Sequence, residues 1–170
     1  ALRDVLERDL ACRGLTTFVD GTLSDLVFQV GEAWKRGDIQ VYEEHFFSET
    51  VRSVLEAATP RDAVPGGAHR ILLTTLPGEL HTLGLAMVHA LMAEAGAECI
   101  ILGAQTPLRD VAEAVRTYGS DVVGLSFSVE YPPDLISSSV SVLRSMLPPG
   151  TEIWIGGAGA RQARNLPAGV

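Results

Sequence analysis

The 170-residue sequence predicts a two-part α/β protein, a helical bundle followed by a parallel sheet wrapped in helices. Three observations predict it. Residues 1–60 carry apolar side chains at helical spacing and offer no strand. The stretch from Thr59 to His69, with Pro60, Pro65, Gly66 and Gly67, is rich in breakers and reads as an interdomain linker. Beyond it, short apolar runs alternate with helical segments, as βαβ crossovers of a parallel sheet require. The expected domains are 1–60 and 69–170.

Leu2, Val5, Leu6 and Leu10 mark a first helix that Gly14 stops. A second helix, from about Thr16 to Arg36, carries Val19, Leu23, Leu26, Val30 and Trp34 along one stripe. Gly37 suits the left-handed residue that ends it, and Asp38 suits the cap of the next. That third helix, about Ile39 to Ala58, sets Val41, Glu44, His45 and Ser48 on one face. In the second half, strands are expected at Ile71–Thr75, Glu98–Leu102, Asp121–Ser126 and Glu152–Ile155. Helices are expected near Gly84–Ala95, Pro107–Tyr118 and Asp134–Leu147. Thr106 and Pro107 form an N-cap and first-turn pair, while Pro148, Pro149 and Gly150 end the last helix.

Composition excludes several classes of function. With 13 basic and 21 acidic residues the net charge is −8, which repels phosphate backbones and makes a poor non-specific nucleic-acid binder. No run approaches the roughly 18 apolar residues of a membrane helix, and Ala1 to Leu10 do not form a secretory signal. Cys12 and Cys99 make neither a disulfide framework nor a zinc spacing. A soluble, cytoplasmic protein is expected. The start at Ala1 and the end at Val170 point to a fragment of a longer chain.

Parallel sheets bind ligands at the carboxyl ends of their strands. The first strand leads there into Leu76-Pro77-Gly78-Glu79-Leu80-His81-Thr82-Leu83-Gly84. A carboxylate two residues from an imidazole can hold one ring nitrogen and leave the other's lone pair free, which suits a metal ligand or a general base. One His without companions cannot build a zinc site from protein alone, but it can supply one axial ligand to a metal held in a macrocycle. A dinucleotide loop is excluded, because Gly157-Ala158-Gly159 is followed by Gln162 where the third glycine belongs. His69 and His89 are assigned no role beyond packing or solvation. No nucleophile–base pair stands apart from this loop, so the chain is not read as an enzyme.

The block Glu79-x-His81-x-x-Gly84 resembles the Asp-x-His-x-x-Gly signature of cobalamin-binding domains. In the spacing of that family, 41 residues separate Gly84 from Ser126-Phe127-Ser128, and 27 more precede Gly156-Gly157. The resemblance implies a Rossmann-like, flavodoxin-like sheet that binds cobalamin base-off and His-on. His81 would take the lower axial position, with Glu79 on its other nitrogen. Leu80, Thr82, Leu83 and Gly84 belong to the same cofactor-binding loop. Ser126 and Ser128 would line the slot for the nucleotide tail, and Gly156 and Gly157 would let the backbone approach it. Glu79 replaces the usual Asp and Ser128 the usual Leu.

Nine residues separate Trp34 from Glu44-His45, which resembles the Trp-x9-Glu-His pattern of the CarH/LitR-type MerR-family photoreceptor regulators. By that resemblance the helical bundle caps the upper face of cobalamin, Trp34 lies against the upper ligand, and Val41, Glu44 and His45 surround a 5′-deoxyadenosyl group. Lys35 stands where members of the group carry a histidine, and a protonated lysine cannot ligate cobalt. A fourth bundle helix and a last strand of the sheet are not found in the sequence.

The leading expectation is a light-sensing regulatory module that binds adenosylcobalamin and changes conformation or assembly on illumination. It would form a homo-oligomer and reach DNA only through a separate domain. The alternatives are a corrinoid methyl carrier of a methyltransferase system, which would hold methylcobalamin, and a cobalamin sensor or store without photochemistry.

Overall fold

A computed structural model describes residues 1–60, 69–168 and 170. The expected linker, apart from Thr59, Pro60 and His69, lies outside the described residues. The chain divides into two compact units, Ala1–Arg61 and Asp62–Val170.

In the helical unit, α1 (Leu2–Arg13) buries Leu6 and ends at Gly14, whose φ is 76°. The chain continues through α2 (Leu15–Thr17), a π-helical stretch at Phe18–Leu23, and α3 (Ser24–Lys35). The expected second helix therefore exists but is not uniform. In the wide stretch the Ser24 N–H bonds to the Val19 carbonyl, five residues back, and the Ser24 hydroxyl donates to the same oxygen at 2.8 Å. The wider turn narrows the arc over which Phe18, Val19 and Leu23 spread, and all three are buried. A search for 3.6-residue periodicity has no means of registering that turn.

Gly37, with φ of 77°, closes α3 by donating its N–H to the Trp34 carbonyl at 2.9 Å. Asp38 does not cap the next helix, because its carboxylate is taken by Arg36 Nε at 2.8 Å. Helix α4 (Val41–Ala58) begins behind Gln40 instead, whose N–H donates to Glu43 at 2.8 Å. Phe47, Val51, Val54 and Leu55 are its buried residues, and both α1 and α3 pack on it.

The second unit contains β1 (Arg70–Thr74), β2 (Glu98–Gly103), β3 (Val122–Ser126) and β4 (Glu152–Gly156). They form one parallel sheet in the order β2-β1-β3-β4. Crossovers run through α5 (Leu83–Glu94), α6 (Leu108–Tyr118) and α7 (Pro133–Met146). Side chains alternate across the sheet as the strand period requires. Ile71, Leu73 and Val122 meet Leu85 of α5 on one face. Leu72, Val123, Leu125 and Ile153 meet Val111, Val115, Ile136, Val140 and Leu143 of α6 and α7 on the other. Burying each such aliphatic side chain contributes about 1.5–3 kcal/mol.

In this unit, too, a cap differs from expectation. Helix α6 starts at Leu108 behind Pro107, and Thr106 Oγ1 is engaged by the Thr74 hydroxyl at 2.7 Å rather than by the helix. The strand order is that of a Rossmann-like, flavodoxin-like doubly wound sheet. The chain leaves β1 toward β2 and leaves β3 toward β4, so a crevice opens at the carboxyl ends of these two neighbours. No described helix is long and apolar enough to cross a membrane.

Candidate functional site

The loop after β1 is clamped before it reaches its functional side chains. Thr75 Oγ1 donates to the Glu79 carbonyl at 2.7 Å and accepts the Gln105 N–H at 2.9 Å. The Glu79 N–H closes a turn onto the Leu76 carbonyl at 3.0 Å, around Gly78 with φ of 93°. The Glu79 side chain is thereby carried inward, where it is 1% exposed.

A buried carboxylate needs partners, and Glu79 has them on both oxygens. Its Oε1 accepts the His81 backbone N–H at 2.9 Å and lies 2.7 Å from His81 Nδ1. Its Oε2 accepts the Ser128 N–H at 2.7 Å. Burial by itself pushes the Glu79 carboxyl up. The amides of Ser128 and His81, joined by both side chains, outweigh that and hold it below its ordinary value. An ionised carboxylate only accepts hydrogen bonds, so the Nδ1 contact places a proton there, and in the neutral ring the lone pair is on Nε2. The His81 side chain is 56% exposed, and its Nε2 lies 3.9 Å from the Glu130 carboxylate.

Among the described residues no group of three or more His, Cys, Asp or Glu could hold a metal ion. The exposed His81 ring, held through Nδ1 by Glu79, can supply one ligand to a metal that brings its others with it. Large apolar side chains are exposed on the flanking loops, Leu80 after β1 and Val129 after β3, as a flat organic ligand would need.

The remaining residues expected in this unit gather around the same crevice. Thr82 precedes α5, Leu83 opens it, and Gly84 lies against Ser126, whose Oγ would be 2.6 Å from a Cβ built there. Ser126 ends β3 in register with Gly156 of β4. A Cβ on Gly156 would meet nothing within 4 Å, so side-chain room is open there. Gly157 has a different reason to be glycine. Its φ is 84°, and a Cβ would stand 2.4 Å from the Phe127 carbonyl oxygen. Close approach of the protein to itself requires this glycine.

Sequence reasoning missed three participants. The Ser128 backbone amide ties Glu79 to the loop after β3, a contact separate from the tail-slot role expected of Ser128. Gly159 is packed so closely that a Cβ would lie 2.1 Å from the Ser128 carbonyl oxygen. Glu130 faces His81 across the crevice. The Gly-x-Gly spacing was a signal for Gly159; nothing in the sequence signalled the other two.

In the helical unit, Trp34 lies near the end of α3 and is 37% exposed, while Val41 and His45 are exposed on α4. Glu44 is half-buried, accepts the Ser48 hydroxyl at 2.6 Å and lies 3.7 Å from His45 Nε2. Lys35 pairs with Glu32 at 3.2 Å on the surface.

The B12 binding domain family matches residues 69–168, and a second B12 binding domain family matches residues 1–59. The chain belongs to the B12-binding family. Its cofactor is a cobalamin, and the site at His81 suits one. Among relatives of this B12-binding chain, the HTH-type transcriptional repressor CarH of Myxococcus xanthus is 34% identical over 159 residues. The match covers 93% of this chain and 52% of CarH, so the chain spans about half the length of that relative. The dimethylamine corrinoid protein of Methanosarcina barkeri is 26% identical over 141 residues, covering 79% of this chain and 65% of that protein. The solved structure of the Methanosarcina barkeri monomethylamine corrinoid protein shares the fold, with a TM-score of 0.69 at 17% identity over 93% of this chain and 82% of that one.

Proposed function

We propose that this chain is the cobalamin-binding, light-sensing module of a MerR-type transcriptional regulator. The observation that carries the reading is that the likeness to a transcriptional repressor runs through both units, over 93% of the chain. His81 Nε2 would supply the protein's ligand to cobalt, and Glu79 at Nδ1 would fix the ring's tautomer and orientation. Ser126, Ser128, Gly156 and Gly157 border the slot for the nucleotide tail. Trp34, Val41, Glu44 and His45 of the helical unit are the residues that would receive the upper ligand. Bound adenosylcobalamin supplies a cobalt–carbon bond that visible light breaks. Breaking that bond would change the conformation or the homo-oligomeric assembly of the module. DNA contact belongs to another domain, consistent with the net charge of −8 here.

A second reading, a corrinoid methyl carrier, is favoured by the likeness to the dimethylamine corrinoid protein and by Lys35 in place of a histidine. The deciding experiment records visible spectra of the protein reconstituted with adenosylcobalamin in the dark and after green light, beside the His81→Ala variant. A base-off, His-on spectrum that needs His81 and changes stably with light, together with a change in oligomeric state, is expected. Refusal of adenosylcobalamin with uptake of methylcobalamin overturns the sensor in favour of the carrier. A His81→Ala spectrum identical to the parent's overturns the axial assignment.

A further inference from the structure

Glu130 has no part in the scheme above, yet its carboxylate is the charged group nearest the nitrogen that His81 turns outward, at 3.9 Å. Its loop is held rigidly for an exposed segment. The Tyr131 N–H closes a turn onto the Ser128 carbonyl at 3.2 Å. The Tyr131 ring is buried, lies 5.1 Å from the Phe127 ring, and its hydroxyl donates to the Pro77 carbonyl at 3.3 Å. Glu130 itself remains 45% exposed in its side chain, and among the described residues its only ion-pair contact is the one with His81. The anchored loop thus presents a carboxylate beside the outward nitrogen of His81, and Leu80 and Val129 of the same two loops expose apolar side chains.

We propose that Glu130 is a specificity-determining residue that selects corrinoids whose peripheral side chains are intact amides. The proposal rests on the reading that His81 Nε2 faces cobalt. A macrocycle whose metal takes that nitrogen must spread over its immediate surroundings, and Glu130 is among them. A carboxylate accepts hydrogen bonds and donates none. It therefore pairs with the N–H groups of a corrin acetamide or propionamide and repels the same side chain when it ends in a carboxylate. Rejecting a wrong ligand by like charge is an efficient route to specificity, because the mismatched pair is partly desolvated when bound. Glutamine at this position would donate as well as accept, so it would lose the discrimination while keeping the shape.

The test measures equilibrium binding by visible titration of the cofactor-free protein. The ligands are cobalamin and its three monocarboxylic derivatives, each with one propionamide hydrolysed, taken separately. The wild-type protein is expected to bind at least one isomer about 10-fold or more weakly than cobalamin, the range of a charge-assisted hydrogen bond. Glu130→Gln is expected to bring that isomer within about twofold of cobalamin. Equal affinities for all isomers in the wild type, or an unchanged ratio in Glu130→Gln, overturn the role of Glu130. His81→Ala separates the two readings. If that variant loses the His-on spectrum while Glu130→Gln leaves the isomer ratio unchanged, only the Glu130 assignment fails. If His81→Ala leaves the spectrum untouched, the axial reading fails and the assignment of Glu130 falls with it.

Discussion

Replacing Glu79 by glutamine probes the hydrogen-bonded centre of the site with almost no change of volume. Glu79 accepts three backbone and ring N–H contacts, two on Oε1 and one on Oε2. A glutamine has one oxygen. If that oxygen keeps His81, the amide NH2 faces the Ser128 N–H, donor against donor. If it keeps Ser128, the NH2 faces His81, and the ring must move its proton to Nε2, the atom needed as a ligand. Either orientation leaves a buried polar group unpaired, which costs about 1–3 kcal/mol. At an m-value of about 1–3 kcal/mol/M, the urea midpoint of the cofactor-free α/β transition should fall by roughly 1 M at pH 7. The pH dependence has a definite sign. The folded carboxyl is held below its unfolded value, so its contribution is complete above the unfolded pKa and is lost as pH falls through the folded one. The gap between wild type and Glu79→Gln should therefore close below about pH 4, where the unfolded carboxyl starts to protonate. Equal midpoints at pH 7, or a gap that stays constant into acid, would refute the reasoning.

Four further outcomes follow from the structure. Gly157→Ala should destabilise the α/β unit by about 2–4 kcal/mol in urea denaturation, combining a left-handed φ with a Cβ pressed on the Phe127 carbonyl. Gly156→Ala, where a Cβ meets nothing, should barely move the midpoint while weakening cobalamin binding. Partial burial pushes the Cys99 thiol up to about 11, so at pH 8 an aromatic disulfide reagent should label exposed Cys12 quickly and Cys99 much more slowly. Equal labelling rates in the native protein would count against that burial. Lys35→His should leave the thermal midpoint unchanged, since the Lys35–Glu32 pair is exposed, yet alter the visible spectrum recorded after green light. An identical illuminated spectrum would show that position 35 stays away from the cofactor.

The sequence by itself determined the fold class, the four strands to within a residue or two, and the loop on which His81 sits. Those features rest on local properties: an apolar period, a breaker, and a spacing that survives translation into space because each βα unit has a nearly constant length. The same local reasoning misjudged Asp38 and Thr106 as helix caps. Each side chain found a stronger partner, Arg36 in one case and Thr74 in the other, and a short polar side chain takes whichever group the fold brings nearest. The π-helical turn at Phe18–Leu23 is a compromise made for packing, so no propensity announces it.

Only the tertiary structure decided how the site is wired. Strand order sets β1 beside β3, and that adjacency brings the Ser128 amide and the Glu130 carboxylate to a loop about fifty residues earlier. It also showed that Gly157 and Gly159 are glycines for the protein's own sake, since their missing side chains let one backbone lie against another. Residue types and spacings record what chemistry a chain can offer. Which groups meet, and therefore which proton sits on which nitrogen, depends on contacts between segments far apart in sequence.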